Sequence, residues 1–72
     1  MKLSELLSKI AFPGFVALVE LDEHGDEFES FGSYDLSKEI DEIPADLMGR
    51  KVDSIWPSRQ PDGWPLVKIQ LV

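Results

Sequence analysis

The segment ELDEHGDEFES, residues 20–30, places six carboxylates and the one histidine of the chain within eleven positions. Carboxylates at this density can bind a metal ion, act as a general acid and base, or present negative charge to a partner. A calcium loop of the EF-hand type needs a glycine at its sixth position and a bidentate glutamate at its twelfth. Counted from Asp22, Gly25 is fourth and Ser33 is twelfth. The spacing does not match, so we expect no metal site.

The same carboxylates are poorly placed for catalysis. A glycosidase pair needs two carboxyl groups across a cleft, one of them with a pKa raised by burial, whereas these residues crowd a polar turn. His24 stands beside the turn glycine Gly25, and no Gly-x-Ser-x-Gly segment is present to hold a nucleophile. A chain of 72 residues also has little room for an enclosed pocket. We therefore predict no catalytic residue, no cofactor and no enzymatic activity, with His24 as an exposed turn residue.

Negative charge is concentrated between residues 20 and 46. The chain has seven basic and fourteen acidic residues, a net charge of −7, and this segment alone holds eleven acids and one base, Lys38. Such segregation creates an oriented field. It disfavours direct binding of nucleic acid, which needs a basic face, and favours a basic protein partner. The predicted partner-binding residues are Glu20, Asp22, Glu23, Asp26, Glu27, Glu29, Asp35, Glu39, Asp41, Glu42 and Asp46.

A second candidate cluster combines aromatic and basic residues near the C-terminus. Trp56, Arg59 and Trp64 flank or occupy the segment PSRQPDGWP, and Arg50 precedes the strand that leads into it. Tryptophan and arginine are enriched at binding hot spots, and they can stack on a base and bind a phosphate. These four residues form an alternative ligand or interface site across a subunit boundary. The structural interpretation, which we favour, is that the two tryptophans cap the end of a small core.

The apolar pattern predicts one α+β domain over residues 1–72. Leu3, Leu6, Leu7 and Ile10 share one face of a helix over about residues 2–11, which Pro13-Gly14 ends. FVALVELD and EFESFGSY are typical of two strands joined by the turn EHGD. Since Phe28 and Phe31 do not share a face at the two-residue period of a strand, we expect a bulge near Ser30–Gly32.

The second half of the chain predicts a short helix followed by two strands. Ile43-Pro44 opens the helix and Gly49 lies beyond its end, while KVDSIW and PLVKIQLV read as strands. The order α-β-β-α-β-β predicts an antiparallel sheet of about four strands with the helices on one face. We place LVKIQLV at a sheet edge, where it could pair with a second copy. A homodimer would add to the marginal core of a chain this small.

The succession LSELLSKI, VALVELDEHGDEF, DLSKEIDEIPADLMGRKVDSIWP and PLVKIQL resembles the small uncharacterised acidic proteins encoded by phages and prophages. The resemblance implies an accessory gene product that binds and inhibits a host protein, as anti-CRISPR and other anti-defence inhibitors do. With the charge pattern, it predicts a phosphate-mimicking acidic face that binds a nucleic-acid-handling host protein, such as a basic nuclease or defence complex.

Two further function classes remain open from the sequence: an oligomeric small-ligand or nucleotide-binding protein that uses the Trp/Arg loop, and a structural homo-oligomer with no catalytic role. The chain has no cysteine and no apolar run of the roughly 20 residues that a membrane span needs. We expect a cytoplasmic protein of the bacterial host cell that binds no membrane.

Overall fold

The computed structural model describes residues 1–10 and 14–72, apart from the side chain of Phe28. The elements are α1 (Leu3–Lys9), β1 (Phe15–Leu21), β2 (Glu27–Asp35), a 3₁₀ turn (Ile40–Glu42), α2 (Ala45–Met48), β3 (Val52–Arg59) and β4 (Pro65–Leu71). The predicted α+β class and the order of the elements are confirmed. α1 is shorter than predicted, and Pro13 of the predicted helix stop lies outside the described residues. Neither helix has the length and apolarity to cross a membrane within the described ranges.

The sheet has the strand order β2-β1-β4-β3. The two hairpins are antiparallel, as predicted, but β1 and β4 pair in parallel, so the sheet is mixed rather than purely antiparallel. A parallel neighbour requires a long crossover, which the segment from the end of β2 through α2 and β3 supplies. The edge position predicted for LVKIQLV is wrong. β4 lies between β1 and β3, and its apolar residues are buried on both faces of the sheet: Leu66 on one face, Ile69 and Leu71 on the other.

The hydrophobic core lies between the helices and one face of the sheet. Leu3 and Leu7 of α1 and Leu47 of α2 pack against Leu18 of β1 and Ile69 of β4, among others. Leu18 and Ile69 are register partners in the parallel pair, and both are fully buried. The helices therefore cover one face, as the amphipathic pattern predicts. We call the opposite, uncovered face of the sheet the open face.

A tight turn and a bulge shape the β1–β2 hairpin. Gly25 in the turn has φ +84°, a left-handed conformation that glycine adopts without steric cost. In the strands, Ala17 pairs with Ser33 but Val19 pairs with Ser30, so β2 carries one extra residue between them. Gly32 at this point has φ +98°. The bulge predicted near Ser30–Gly32 is confirmed.

The short helix α2 begins and ends as the sequence predicts. Pro44 stands at its N-cap position, where its missing N–H costs no intrahelical hydrogen bond. Gly49 lies at the C-cap and donates its N–H to the carbonyls of Ala45 and Leu47. The strand that follows is longer than predicted. β3 continues through Pro57 to Arg59, and proline is compatible with it because β3 is an edge strand.

Candidate functional site

The turn between β1 and β2 holds its carboxylates on an ordered backbone. Asp22 Oδ1 accepts hydrogen bonds from the backbone N–H groups of His24, at 2.8 Å, and Asp26, at 3.0 Å. Asp22 therefore closes the turn besides contributing charge. His24 is an exposed turn residue, as predicted, and its Nε2 lies 3.7 Å from Glu23 Oε1. The turn presents its acidic groups to solvent, where no described residue buries them.

Two of the six carboxylates in residues 20–30 form ion pairs with distant cations. Glu20 Oε1 accepts from Arg50 at 2.7 Å, and Glu27 Oε1 accepts from Lys68 at 2.6 Å. These cations are 30 and 41 positions away in the chain, so the local sequence gives no sign of them. The remaining four carboxylates make no ion pair with a lysine or arginine among the described residues. They are Asp22, Glu23, Asp26 and Glu29.

The other predicted acidic residues lie beyond the far end of β2. Asp35 Oδ1 accepts from the backbone N–H of Ser37 at 2.9 Å and from its hydroxyl at 2.7 Å. These two hydrogen bonds, together with the positive charge of Lys38, hold the pKa of Asp35 below its ordinary value against a smaller effect of desolvation. Glu39 Oε1 accepts from the backbone N–H of Asp35 at 2.9 Å. Asp41, Glu42 and Asp46 are exposed.

The acidic residues of β2 and its turn lie along one edge of the sheet, and Asp41, Glu42 and Asp46 lie on the crossover that leads from β2 to β3. β2 is an edge strand of nine residues, which separates its two ends by about 26 Å. We call β2 and its turn at residues 22–26 the acidic edge. Lys51 and Arg59 flank or end β3, the opposite edge, whereas the guanidinium of Arg50 pairs with Glu20 of β1. The charge segregation in the sequence therefore concentrates negative charge on β2 and its turn at one edge of the sheet.

The predicted Trp/Arg cluster does not assemble within one chain. Arg50 contacts the helix side of the molecule, with its guanidinium carbon 4.9 Å from the centroid of the Phe31 ring. Trp56 lies on the open face opposite Lys68, and Arg59 is at the far end of the same strand. Trp64 is 63% exposed in the β3–β4 turn, so the prediction that it caps the core is wrong. The reason is that β3 extends to Arg59 and pushes the turn beyond the core.

The open face carries a cavity of about 410 Å³ that the sequence reasoning missed. Ala17 and Leu66 form part of its wall, and Lys68 and Arg59 line it as well. The small residues Ala17 and Gly32 in otherwise bulky strands were the available signal. The cavity could be predicted only if the strand order were known, because residues from all four strands line it.

A metal centre has no support in the described part of the chain, where no group of three or more His, Asp or Glu residues lies close enough to hold an ion. Comparison with known proteins returned no matching family model, no matching curated protein and no matching solved structure. The function is therefore inferred from the charge and geometry of the surface.

Proposed function

We propose that this protein binds a nucleic-acid-handling host protein through its acidic edge and inhibits it by occupying a surface that otherwise binds phosphates. The role is that of a phage-type accessory protein, for example an anti-CRISPR or other anti-defence factor. The observation that carries the proposal is the charge of β2 and its turn. Residues 22–35 contain six acids and no lysine or arginine, and they lie along one exposed edge.

The arrangement suits a partner surface lined with lysine and arginine. Asp22, Glu23, Asp26 and Glu29 project from a hairpin whose turn is hydrogen-bonded internally. A rigid hairpin loses little conformational entropy on binding, so more of the electrostatic attraction appears as affinity. Complementary charge also raises the association rate and makes the complex sensitive to salt.

The acidic edge disfavours one competing partner, a second copy of the chain paired through β2. Two copies of β2 side by side would bring Glu27, Glu29 and Asp35 of each strand close to the same residues of the other. Like charges opposite each other in a sheet are destabilising, and charged edge strands resist such pairing. A basic surface faces no such repulsion.

Two triple variants with the same change in net charge test the proposal. E23Q/D26N/E29Q neutralises the acidic edge and leaves Asp22 to close the turn. E5Q/D53N/D62N neutralises the three acids that lie outside residues 20–46. Each variant and the wild type is used to capture proteins from a bacterial lysate at low and high salt, and captured proteins are identified by mass spectrometry.

The expected result is a basic nucleic-acid-binding protein retained by the wild type and by E5Q/D53N/D62N. E23Q/D26N/E29Q retains much less of this protein, and high salt releases it. Three exposed charges worth about 0.5 kcal/mol each correspond to roughly tenfold weaker binding. If all three proteins retain the same partners to the same extent, the acidic edge is not the binding surface and the proposal is wrong.

A further inference from the structure

The cavity on the open face is lined by side chains that the strand register directs to that face. Ala17 of β1 pairs with Ser33 of β2 and with Lys68 of β4. Ser58 of β3 pairs with Leu66 of β4. All five residues line the cavity, whose volume of about 410 Å³ lies within the range of ordinary ligand pockets, roughly 300–1,000 Å³. Ala17 contributes only a methyl group at the centre of the sheet, which leaves space between the longer side chains around it.

The charges of the described lining leave no cation free inside the cavity. Lys68 Nζ lies 2.6 Å from Glu27 Oε1, so a carboxylate compensates its charge. Arg59 follows Ser58 along β3, so its side chain points to the opposite face of the sheet. No carboxylate belongs to the described lining. A charged ligand would lose hydration here without gaining a counter-charge, which is unfavourable. The cavity therefore favours an uncharged ligand.

The hydroxyl groups of the lining lie on opposite sides of the cavity. Ser30 and Ser33 belong to β2, and Ser58 belongs to β3. Ser30 and Ser33 are exposed and Ser58 is half-buried, so a ligand can reach them from solvent. Each hydroxyl can both donate and accept a hydrogen bond. A ligand that fits between them must therefore carry polar groups on more than one side.

The Gln60 amide adds an unsatisfied donor to this lining. Gln60 lines the cavity, and its Nε2 is buried without a hydrogen-bond partner among the described residues. A buried N–H group without a partner costs free energy. Rotation of the amide towards the cavity lets a ligand oxygen accept from it, which removes that cost. An oxygen-rich ligand is therefore favoured over an apolar one.

We propose that the open-face cavity binds an uncharged polyhydroxyl compound of the monosaccharide class. Sugar hydroxyls donate and accept hydrogen bonds, so they match the serine hydroxyls and the Gln60 amide without leaving a polar group unpaired. The C–H groups of a sugar ring pack against Ala17 and Leu66, the apolar part of the wall. No carboxylate of the acidic edge lines the cavity, so this site is independent of the proposed partner binding.

Titration of isotope-labelled protein with sugars, followed by two-dimensional NMR of the backbone amides, tests the assignment. The probes are glucose and ribose, which are uncharged, and glucose 6-phosphate and glucuronate, which carry negative charge. We expect glucose or ribose to shift the amides of Ala17, Ser33 and Ser58 in a saturable way at millimolar concentration. The two charged compounds bind no more tightly than glucose, because the lining offers them no free cation.

Three variants locate the binding. A17L fills the cavity and abolishes the shifts. S58A removes one hydroxyl from the lining and weakens binding roughly three- to tenfold, the usual effect of losing one or two neutral hydrogen bonds. S54A is the matched control, since it makes the same substitution on the same face of β3 at a serine outside the lining. We expect S54A to bind as the wild type does.

The proposal is overturned if neither glucose nor ribose shifts the three amides saturably, or if the shifts are confined to residues outside the cavity. Tighter binding of glucose 6-phosphate or glucuronate than of glucose also overturns it, because the cavity would then select negative charge. The same holds if S58A binds as tightly as S54A.

Discussion

Arg50 joins three parts of the molecule that are distant in sequence. Its Nη2 donates to Glu20 Oε1 on β1 at 2.7 Å, its Nε donates to the carbonyl of Val72 at 3.2 Å, and its guanidinium lies over the Phe31 ring of β2. We expect R50M, which keeps most of the aliphatic stem and removes the charge, to destabilise the fold.

The magnitude follows from the three contacts. The side chains of Arg50 and Glu20 are 27% and 28% exposed, so solvent screens the pair only in part and it contributes about 1 kcal/mol. The cation–π contact adds about 0.5 kcal/mol and the hydrogen bond to Val72 about 0.5–1 kcal/mol. The expected loss is about 2 kcal/mol, out of a total of roughly 4–10 kcal/mol for a chain of this length.

Urea denaturation followed by circular dichroism measures this loss. With an m-value of about 1 kcal/mol/M, the midpoint of R50M falls by about 2 M. R59M is the matched control: the same substitution at an exposed arginine without an ion pair among the described residues changes stability by less than about 0.5 kcal/mol. A double-mutant cycle with E20Q isolates the ion pair, with a coupling of about 1 kcal/mol. Equal midpoints for R50M and R59M would refute the role given to Arg50.

Three further outcomes are expected. L18A removes a fully buried core side chain and costs about 2–5 kcal/mol in the same urea assay, and a cost below about 1 kcal/mol would contradict the assigned core. G25A costs about 1 kcal/mol through backbone strain alone, since its φ is +84° and nothing lies within 4 Å of an added Cβ; unchanged stability would contradict the turn geometry. S37A raises the pKa of Asp35 towards its ordinary value, measured by NMR titration of the carboxyl carbon, because the Ser37 hydroxyl stabilises the carboxylate. Because the pKa of Asp35 is lower in the folded state, the hydrogen bond from Ser37 stabilises the fold above about pH 4, and this stabilisation is lost as the pH falls through the pKa of the folded state. An unchanged pKa of Asp35 in S37A would refute the role given to the Ser37 hydroxyl.

Local features of the fold were predictable because local sequence determines them. Gly25 marks the turn, Pro44 and Gly49 flank α2, and the spacing of Phe28 and Phe31 indicates the bulge at Gly32. Each of these rests on the conformational preference of one residue or on a period of two residues along a strand. Such preferences act within a few positions, so the element order follows from them.

Strand order and long-range contacts were not predictable in the same way. The alternation in β4 fixes which residues share a face, but it does not state which strand lies alongside. The parallel pairing of Leu18 with Ile69 depends on the path of a long crossover. The pairing of Arg50 with Glu20 depends on that strand order. Because Arg50 is bound to Glu20, it does not join the Trp/Arg cluster that was predicted to contain Arg59 as well. The open-face cavity also depends on residues from four strands brought together.

Competition with nucleic acid tests the proposed function most directly. A labelled oligonucleotide is bound to the captured partner, and its fluorescence anisotropy is followed as wild-type protein or E23Q/D26N/E29Q is added. If the acidic edge occupies a phosphate-binding surface, the wild type releases the oligonucleotide and the triple variant requires roughly tenfold more protein to do so. A ternary complex in which the oligonucleotide stays bound while the wild type binds the partner would contradict the proposal.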